Sequence, residues 1–230
     1  MKKLDLSVAI LDFDETLSEP FGVLRADTAS RVKRLLRKLS LIPVIVSGRP
    51  MSFLRPEARH IGCTRYVGEN GNAVHAGGKD KYLEDGSAIV SLFSPRRYEV
   101  KKSMVEFPGK MLPAAKRLLE RAGAEYCMEW NNGRVMIMPP NTSKLRGLEF
   151  LFGRTGFSFS DAIAFGNGEN DIGFMKKSRI SVAVSNAPPQ VKRQADFVSG
   201  RPYGEGVIRF LEAALPPRGP CIGGLSLLDQ

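Results

Sequence analysis

Apolar residues in this chain fall into short continuous runs at its two ends and into a looser alternating pattern in the middle. The runs at 5–11, "LIPVIVS" at 41–47, "DAIAFG" at 161–166 and "ISVAVS" at 180–185 are compact, largely apolar and closed by polar residues or glycine. They predict buried strands, the second despite Pro43 near its start. Apolar positions recur at helical spacing between and after them. Val32, Leu35, Leu36 and Leu39 predict a helix over 28–39 capped by Asp27, and Leu145, Leu148 and Leu151 predict one over 143–153. Further helices are expected at 51–60, 170–177, 188–195 and 205–214. Strands alternating with helices on both faces give an α/β fold, a doubly wound Rossmann-like parallel sheet. Ligands of such sheets sit beyond the carboxyl ends of the strands. Asp12, Ser47 and Gly166 fall at those ends.

Residues 69–142 follow another rhythm. "YCMEWNNGRVMIM" is a hairpin with Asn132-Gly133 as its tight turn, and "MLPAAKRLLERAG" before it is a helix stopped by Gly123. This segment is expected to be a small α+β cap domain inserted into a core formed by residues 1–68 and 143–230. The Pro- and Gly-rich tail at 216–230 is expected to be irregular or docked.

The 43% hydrophobic content over 230 residues supports a packed core, and no apolar run is long enough to span a membrane. The start, MKKLDLSV, resembles a signal peptide, but its apolar stretch is short and breaks on Asp12 and Asp14, so a cytoplasmic protein is expected. Cys63, Cys127 and Cys221 are odd in number and far apart, which fits a reducing compartment, and two histidines leave little scope for His-based chemistry. The net charge of +10 is spread along the chain rather than gathered, and no aromatic-rich binding motif accompanies it. No nucleic-acid or membrane partner is expected, only a general pull on anionic ligands.

Candidate chemistry begins at "VAILDFDETLS". Asp12 and Asp14 stand two apart, so in extended backbone both carboxylates project to one side. Two such charges repel unless a cation lies between them, and a hard ion such as Mg2+ takes oxygen ligands of this kind. A carboxylate aligned with a phosphoryl group on that ion can attack it and form an aspartyl phosphate. Taken alone, the same residues also fit a capped turn, with Thr16 bonding locally. Ser47 and Gly48 offer a hydroxyl and an unobstructed N–H to phosphate. Lys144 is placed to neutralise it, and "FGNGENDIGFM" carries Asn167, Glu169, Asn170 and Asp171 on a loop after a strand.

In order and spacing these four stretches resemble the motifs of the haloacid dehalogenase-like phosphatases with an α/β cap between the second and third motifs. "DFDETLS", "VSGR", Lys144 in "SKLRGLEFL" and "GNGENDIGFM" match the four motifs in turn, and "VAVSNAPPQVKRQADFV" and "EGVIRFLE" are similar to the family's C-terminal stretch. The resemblance covers 5–72 and 142–212. It implies that Asp12 is the nucleophile and that Asp14 is the general acid and base, its carbonyl also binding Mg2+. Ser47, Gly48 and Lys144 would hold the phosphoryl group, and Asp12, Asp14, Asn167 and Asp171 the metal. Thr16, Arg49, Asn170 and Asn186 would support the site.

Three positions depart from the family pattern. Asn167 stands where an aspartate is usual, and Glu15 and Leu145 stand where glycine is common. Asn167 keeps a carbonyl oxygen but loses a charge, so weaker metal affinity is expected. The compact cap resembles that of archaeal phosphoglycolate phosphatases, which implies a small phosphorylated acid as substrate; a monomer or homodimer is expected. Glu69 and Asn70 in "GENGN" would form a hinge near that substrate, and Arg49, Arg96 and Arg97 are candidates to meet its carboxylate. A phosphosugar phosphatase or phosphomutase, and a phospho-ligand-binding protein without turnover, are the alternatives.

Overall fold

In a computed structural model, residues 6–214 are described. The chain runs through β1 (Val8–Asp12), α1 (Ala26–Lys38), β2 (Ile42–Val46), α2 (Met51–Ile61), β3 (Tyr66–Gly68), β4 (Ala73–Ala76) and β5 (Lys79–Tyr82). It continues through α3 (Ser87–Val90), β6 (Glu99–Val100), β7 (Val105–Pro108), α4 (Leu112–Ala122), β8 (Cys127–Asn131) and β9 (Arg134–Met138). It closes with α5 (Lys144–Thr155), β10 (Ala162–Gly166), α6 (Ile172–Lys177), β11 (Ile180–Ala183), α7 (Pro189–Lys192), β12 (Phe197–Val198) and α8 (Tyr203–Ala213).

The large sheet has the order β12-β11-β10-β1-β2-β3-β4-β5, parallel from β12 to β3 and antiparallel thereafter. All five residues of β1 are buried, which is why its sequence reads as an unbroken apolar run up to Asp12. Alternate residues serve the two faces. Ala9 and Leu11 join the cluster under α1, α2 and α8, while Val8 and Ile10 join the cluster under α5, α6 and α7. The doubly wound core read from the pattern is the fold of the chain. After β1 the chain moves outward through β2 and β3 and later returns to β10 on the other side, so strand order reverses beside the end of β1.

Strands β6-β7-β9-β8 form a second, four-stranded sheet. The segment expected as a cap is shared between the sheets, because β4 and β5 extend the large one. The Asn132-Gly133 turn sets the register of β8 against β9, pairing Asn131 with Arg134 and Cys127 with Met138. Val135 and Ile137 therefore face α4 with Ala115 and Leu119. Cys127, Glu129, Asn131, Met136 and Met138 fall on the opposite face.

Several local expectations change. Helix α1 starts at Ala26 with extended Arg25 before it, so Asp27 is not its cap; it sits in the first turn, where its charge suits the helix dipole. The helix expected over 188–195 shortens to Pro189–Lys192, and β1 starts at Val8 rather than at residue 5. Residue 5, the tail at 216–230 and Cys221 lie outside the described residues. Among the described residues no helix is long and apolar enough to cross a membrane.

Candidate active site

Three loops and one helix start converge beyond the ends of β1, β2 and β10. Ser143 caps α5 by accepting the Arg146 N–H at 3.2 Å, which makes Lys144 the first residue of that helix. The start of α5 is pressed against the turn after β3, where Gly71 has φ +111° and an added Cβ would lie 1.8 Å from the Ser143 carbonyl oxygen. Only glycine fits there. Gly71→Ala is expected to lower stability by about 3 kcal/mol or more, through overpacking and backbone strain together. Denaturant unfolding checks this, and a loss below about 1 kcal/mol would mean that the two segments are not locked together.

Asp12, Lys144 and Asp171 are each no more than 3% exposed and form a buried triad. The Lys144 ammonium donates to Oδ1 of Asp12 and to Oδ1 of Asp171, both at 2.7 Å. The other Asp171 oxygen, Oδ2, accepts the N–H groups of Asn167 at 2.9 Å and Gly168 at 2.8 Å. Burial, then the charge of Asp171, pushes the Asp12 carboxyl up to about 7, against the pull of Lys144. Burial alone would lower the Lys144 ammonium, but the charges of Asp12 and Asp171 and the hydrogen bonds to them raise it.

Asp14 is held on the opposite flank. Its Oδ2 accepts the Ser47 hydroxyl at 3.1 Å, and its Oδ1 accepts Nε and Nη2 of Arg49 at 2.9 and 2.7 Å. Arg49 is therefore paired with a carboxylate of the chain itself. The Ser47 hydroxyl also accepts the Arg49 N–H at 3.0 Å, which closes a tight loop around Gly48. Thr16 does not bond locally through its hydroxyl. Fully buried, it donates to Asn167 Oδ1 at 3.1 Å and ties the loop after β1 to the loop after β10. Asn186 donates to the Glu15 carbonyl at 2.9 Å and accepts the Tyr203 N–H at 3.0 Å, bracing the same loop from behind. Glu15 has φ +57°, a reason for glycine to be common at this position.

The second sheet lies over this cluster. Asn70 links both halves: its Oδ1 accepts from Asn170 at 2.8 Å, and its Nδ2 donates to Glu129 of β8 at 2.6 Å. Buried Glu69 accepts the Ser103 N–H at 2.7 Å and its hydroxyl at 2.6 Å. The Asn132 N–H donates to Glu169 at 3.3 Å, and Lys101 donates to the Gly48 carbonyl at 3.0 Å. Gly168 leaves room for the end of β8, since a Cβ there would lie 2.4 Å from Asn131 Oδ1. Arg96 and Arg97 are exposed and touch none of these groups. Glu129, Asn131, Lys101 and Glu106 are site-facing residues that the sequence reading passed over. The register set by the Asn132-Gly133 turn places Glu129 and Asn131 on one face with Met136 and Met138, and was the signal for them.

The donor set suits a hard cation. It holds carboxylates and an amide oxygen but no imidazole or thiolate, and Asp12 is pushed up first by burial and then by the charge of Asp171, both of which a divalent ion beside it would offset. Among the described residues no three His, Cys, Asp or Glu side chains gather closely enough to hold a metal by themselves. An ion here would rest on one or two carboxylates and on neutral oxygens such as Asn167 Oδ1, as Mg2+ accepts.

A model of the haloacid dehalogenase-like hydrolase family matches residues 96–211, half of the chain, including Lys144 and Asp171. The chain belongs to the haloacid dehalogenase-like hydrolases. It is 29% identical over 222 residues to a phosphoglycolate phosphatase of Aeropyrum pernix, covering 90% of this chain and 93% of that protein. It is also 29% identical over 216 residues to a phosphoglycolate phosphatase of Archaeoglobus fulgidus, covering 88% and 94%. A solved structure from Thermoplasma acidophilum superposes with a TM-score of 0.76 at 16% identity, over 90% of this chain and 97% of that one. A haloacid dehalogenase-like hydrolase of Bacteroides thetaiotaomicron gives 0.75 at 17%, over 91% and 100%, and these two likenesses speak for the fold alone. With its family and its relatives together, this hydrolase is a phosphatase.

Proposed function

We propose that this phosphatase is a Mg2+-dependent phosphomonoesterase that works through an aspartyl phosphate on Asp12, with phosphoglycolate as its first candidate substrate. The observation that carries the reading is the buried triad in which Lys144 lies 2.7 Å from both Asp12 and Asp171 at the switch in strand order. A carboxylate and an ammonium are costly to bury, and here they are held side by side where a ligand of this fold sits.

An Asp12 oxygen attacks phosphorus and the bond to the leaving oxygen breaks. Asp14 supplies a proton to that oxygen, then takes one from the water that hydrolyses the acyl phosphate. The Arg49–Asp14 pair must open as the leaving group arrives, which frees the carboxyl for this exchange. Ser47, Gly48 and Lys144 hold the phosphoryl oxygens, so positioning and fixed charge carry most of the catalysis. A bound Mg2+ would be held by Asp12, Asp171, Asn167 and the Asp14 carbonyl, and would neutralise charge on the phosphoryl group. The second sheet acts as the cap, with Glu69 and Asn70 at its hinge. The free thiols of Cys63 and Cys127 support a cytoplasmic setting. The names of the relatives favour a small phosphorylated acid.

Phosphate release from a panel of esters, phosphoglycolate among them, tests this reading. Release with millimolar Mg2+ is expected to fall at least about 100-fold with excess EDTA and to return with added Mg2+. Equal release in EDTA, or none from any ester with Mg2+, would overturn it.

A further inference from the structure

We infer that a second anion site, separate from the catalytic one, takes the phosphate group of a small ligand between the last turns of α2 and the start of β3. It does not depend on the reaction proposed above. A cleft of about 460 Å³ is lined there by Arg55, Arg59, Arg65, Tyr66 and His75. It opens where β3 begins, at Tyr66, whereas the active site lies beyond the carboxyl ends of β1, β2 and β10. None of its lining residues belongs to that site.

The floor of the cleft carries the observation that points to a ligand. Tyr66 is 3% exposed, yet among the described residues its hydroxyl has no hydrogen-bond partner. Buried hydroxyls are nearly always bonded, so a donor left open toward a cleft marks a place for an acceptor. The ring is fixed in place: it stacks on His75 at 4.4 Å, and His75 is bonded in turn to Asp80. Burial raises the Tyr66 hydroxyl, as do Asp80 and Cys63, while the charges of Arg55 and Arg59 pull it down, which puts both guanidinium groups near it.

The charges of the cleft do not cancel. Arg55 is paired with Asp80 at 2.6 Å. Arg59 and Arg65 make no ion pair among the described residues; Arg65 rests over the ring of Phe157 at 5.2 Å. The one acid of α2, Glu57, is bonded to His60 at 3.4 Å. Arg59 lies in the last turn of α2, whose dipole offsets roughly half a charge. Lys79 and Lys81 are not counted, since β5 turns them to the other face, where Lys81 lies over Phe150. More than one positive charge is left over. The Cys63 thiol takes no part, being bonded to the carbonyls of Pro43 and Arg65. Guanidinium forks match phosphate oxygens two at a time, and the Tyr66 hydroxyl adds a further donor. A concave cleft of this volume suits a short ligand and not a polymer.

The test titrates inorganic phosphate into the full-length protein, with EDTA present, and follows the Nε–H signals of Arg59 and Arg65 by NMR. Potassium chloride at matched ionic strength is the control. Saturable shifts of both signals are expected, with a Kd in the millimolar range or below. Tyr66→Phe should weaken that Kd about 3- to 10-fold with no loss of melting temperature, since the hydroxyl has no partner in the protein to lose. Arg59→Gln should weaken it about 10-fold or more and leave turnover of phosphate esters as in the wild type. AMP in place of phosphate separates two sources of the same group: tighter binding marks a phosphorylated metabolite, equal or weaker binding free phosphate, and both support the site. Shifts no larger than those with chloride would overturn it. So would wild-type affinity in both variants. Phosphate held at the catalytic site moves the signals of Ser47 and Gly48 instead and persists in both variants, so the failure of one site is distinguishable from that of the other.

Discussion

Asp12→Asn is expected to lower kcat on every ester by at least about 10³-fold while leaving the protein folded. The amide has nearly the shape of the carboxylate but cannot attack phosphorus. The fold tolerates the change because Asp12 sits at a strained charge balance: burial and Asp171 push its carboxyl up to about 7 even with Lys144 at 2.7 Å. Removing that negative charge leaves Lys144 paired with Asp171, so the melting temperature should stay within a few degrees of the wild type. Steady-state kinetics beside thermal unfolding separates the two effects. Near-wild-type turnover by the folded variant would rule out Asp12 as nucleophile.

Lys144→Met should damage both stability and activity. It leaves Asp12 and Asp171 facing one another with no cation between them, and breaking a buried pair in this way costs about 3–5 kcal/mol. The loss should depend on pH, and its sign follows from Asp12. Its folded pKa lies above the unfolded value, so between about 4 and about 7 the folded state binds more protons, and stability falls as pH rises through that window. Without Lys144 the pull that lowers Asp12 is gone, so the window widens upward and the variant should be least stable at alkaline pH. Urea unfolding at pH 5 and pH 8 measures this, alongside a drop of about 100-fold or more in kcat/KM from the lost phosphoryl contact. Equal stability of variant and wild type at pH 8 would show that the ammonium does not bridge the carboxylates.

The core was legible because its signals are local. A strand buried on both faces must be apolar throughout, and β1, β2, β10 and β11 announce themselves in that way. Asp12 and Lys144 were legible too, one as a charge ending an apolar run and the other as the opening residue of an amphipathic helix. The start of α1 was misread because a first-turn aspartate and a capping aspartate look alike in sequence and differ only in the backbone before them. Strands β4 and β5 were assigned to the cap because hairpin signals give a pairing partner but not the sheet that the pair joins.

By itself the sequence determined the element types of the core and the order of its chemical residues, since hydrophobic period and turn chemistry act over a few neighbours. Tertiary structure alone decided the partners of the charged groups. Arg49 turns to Asp14, Thr16 reaches Asn167, Asn70 joins Asn170 to Glu129, and Lys101 comes to rest on Gly48. Most of these contacts join residues far apart in the chain. Each becomes favourable once two elements pack, water leaves the seam, and a buried donor or acceptor must find a partner in place of the solvent it has lost.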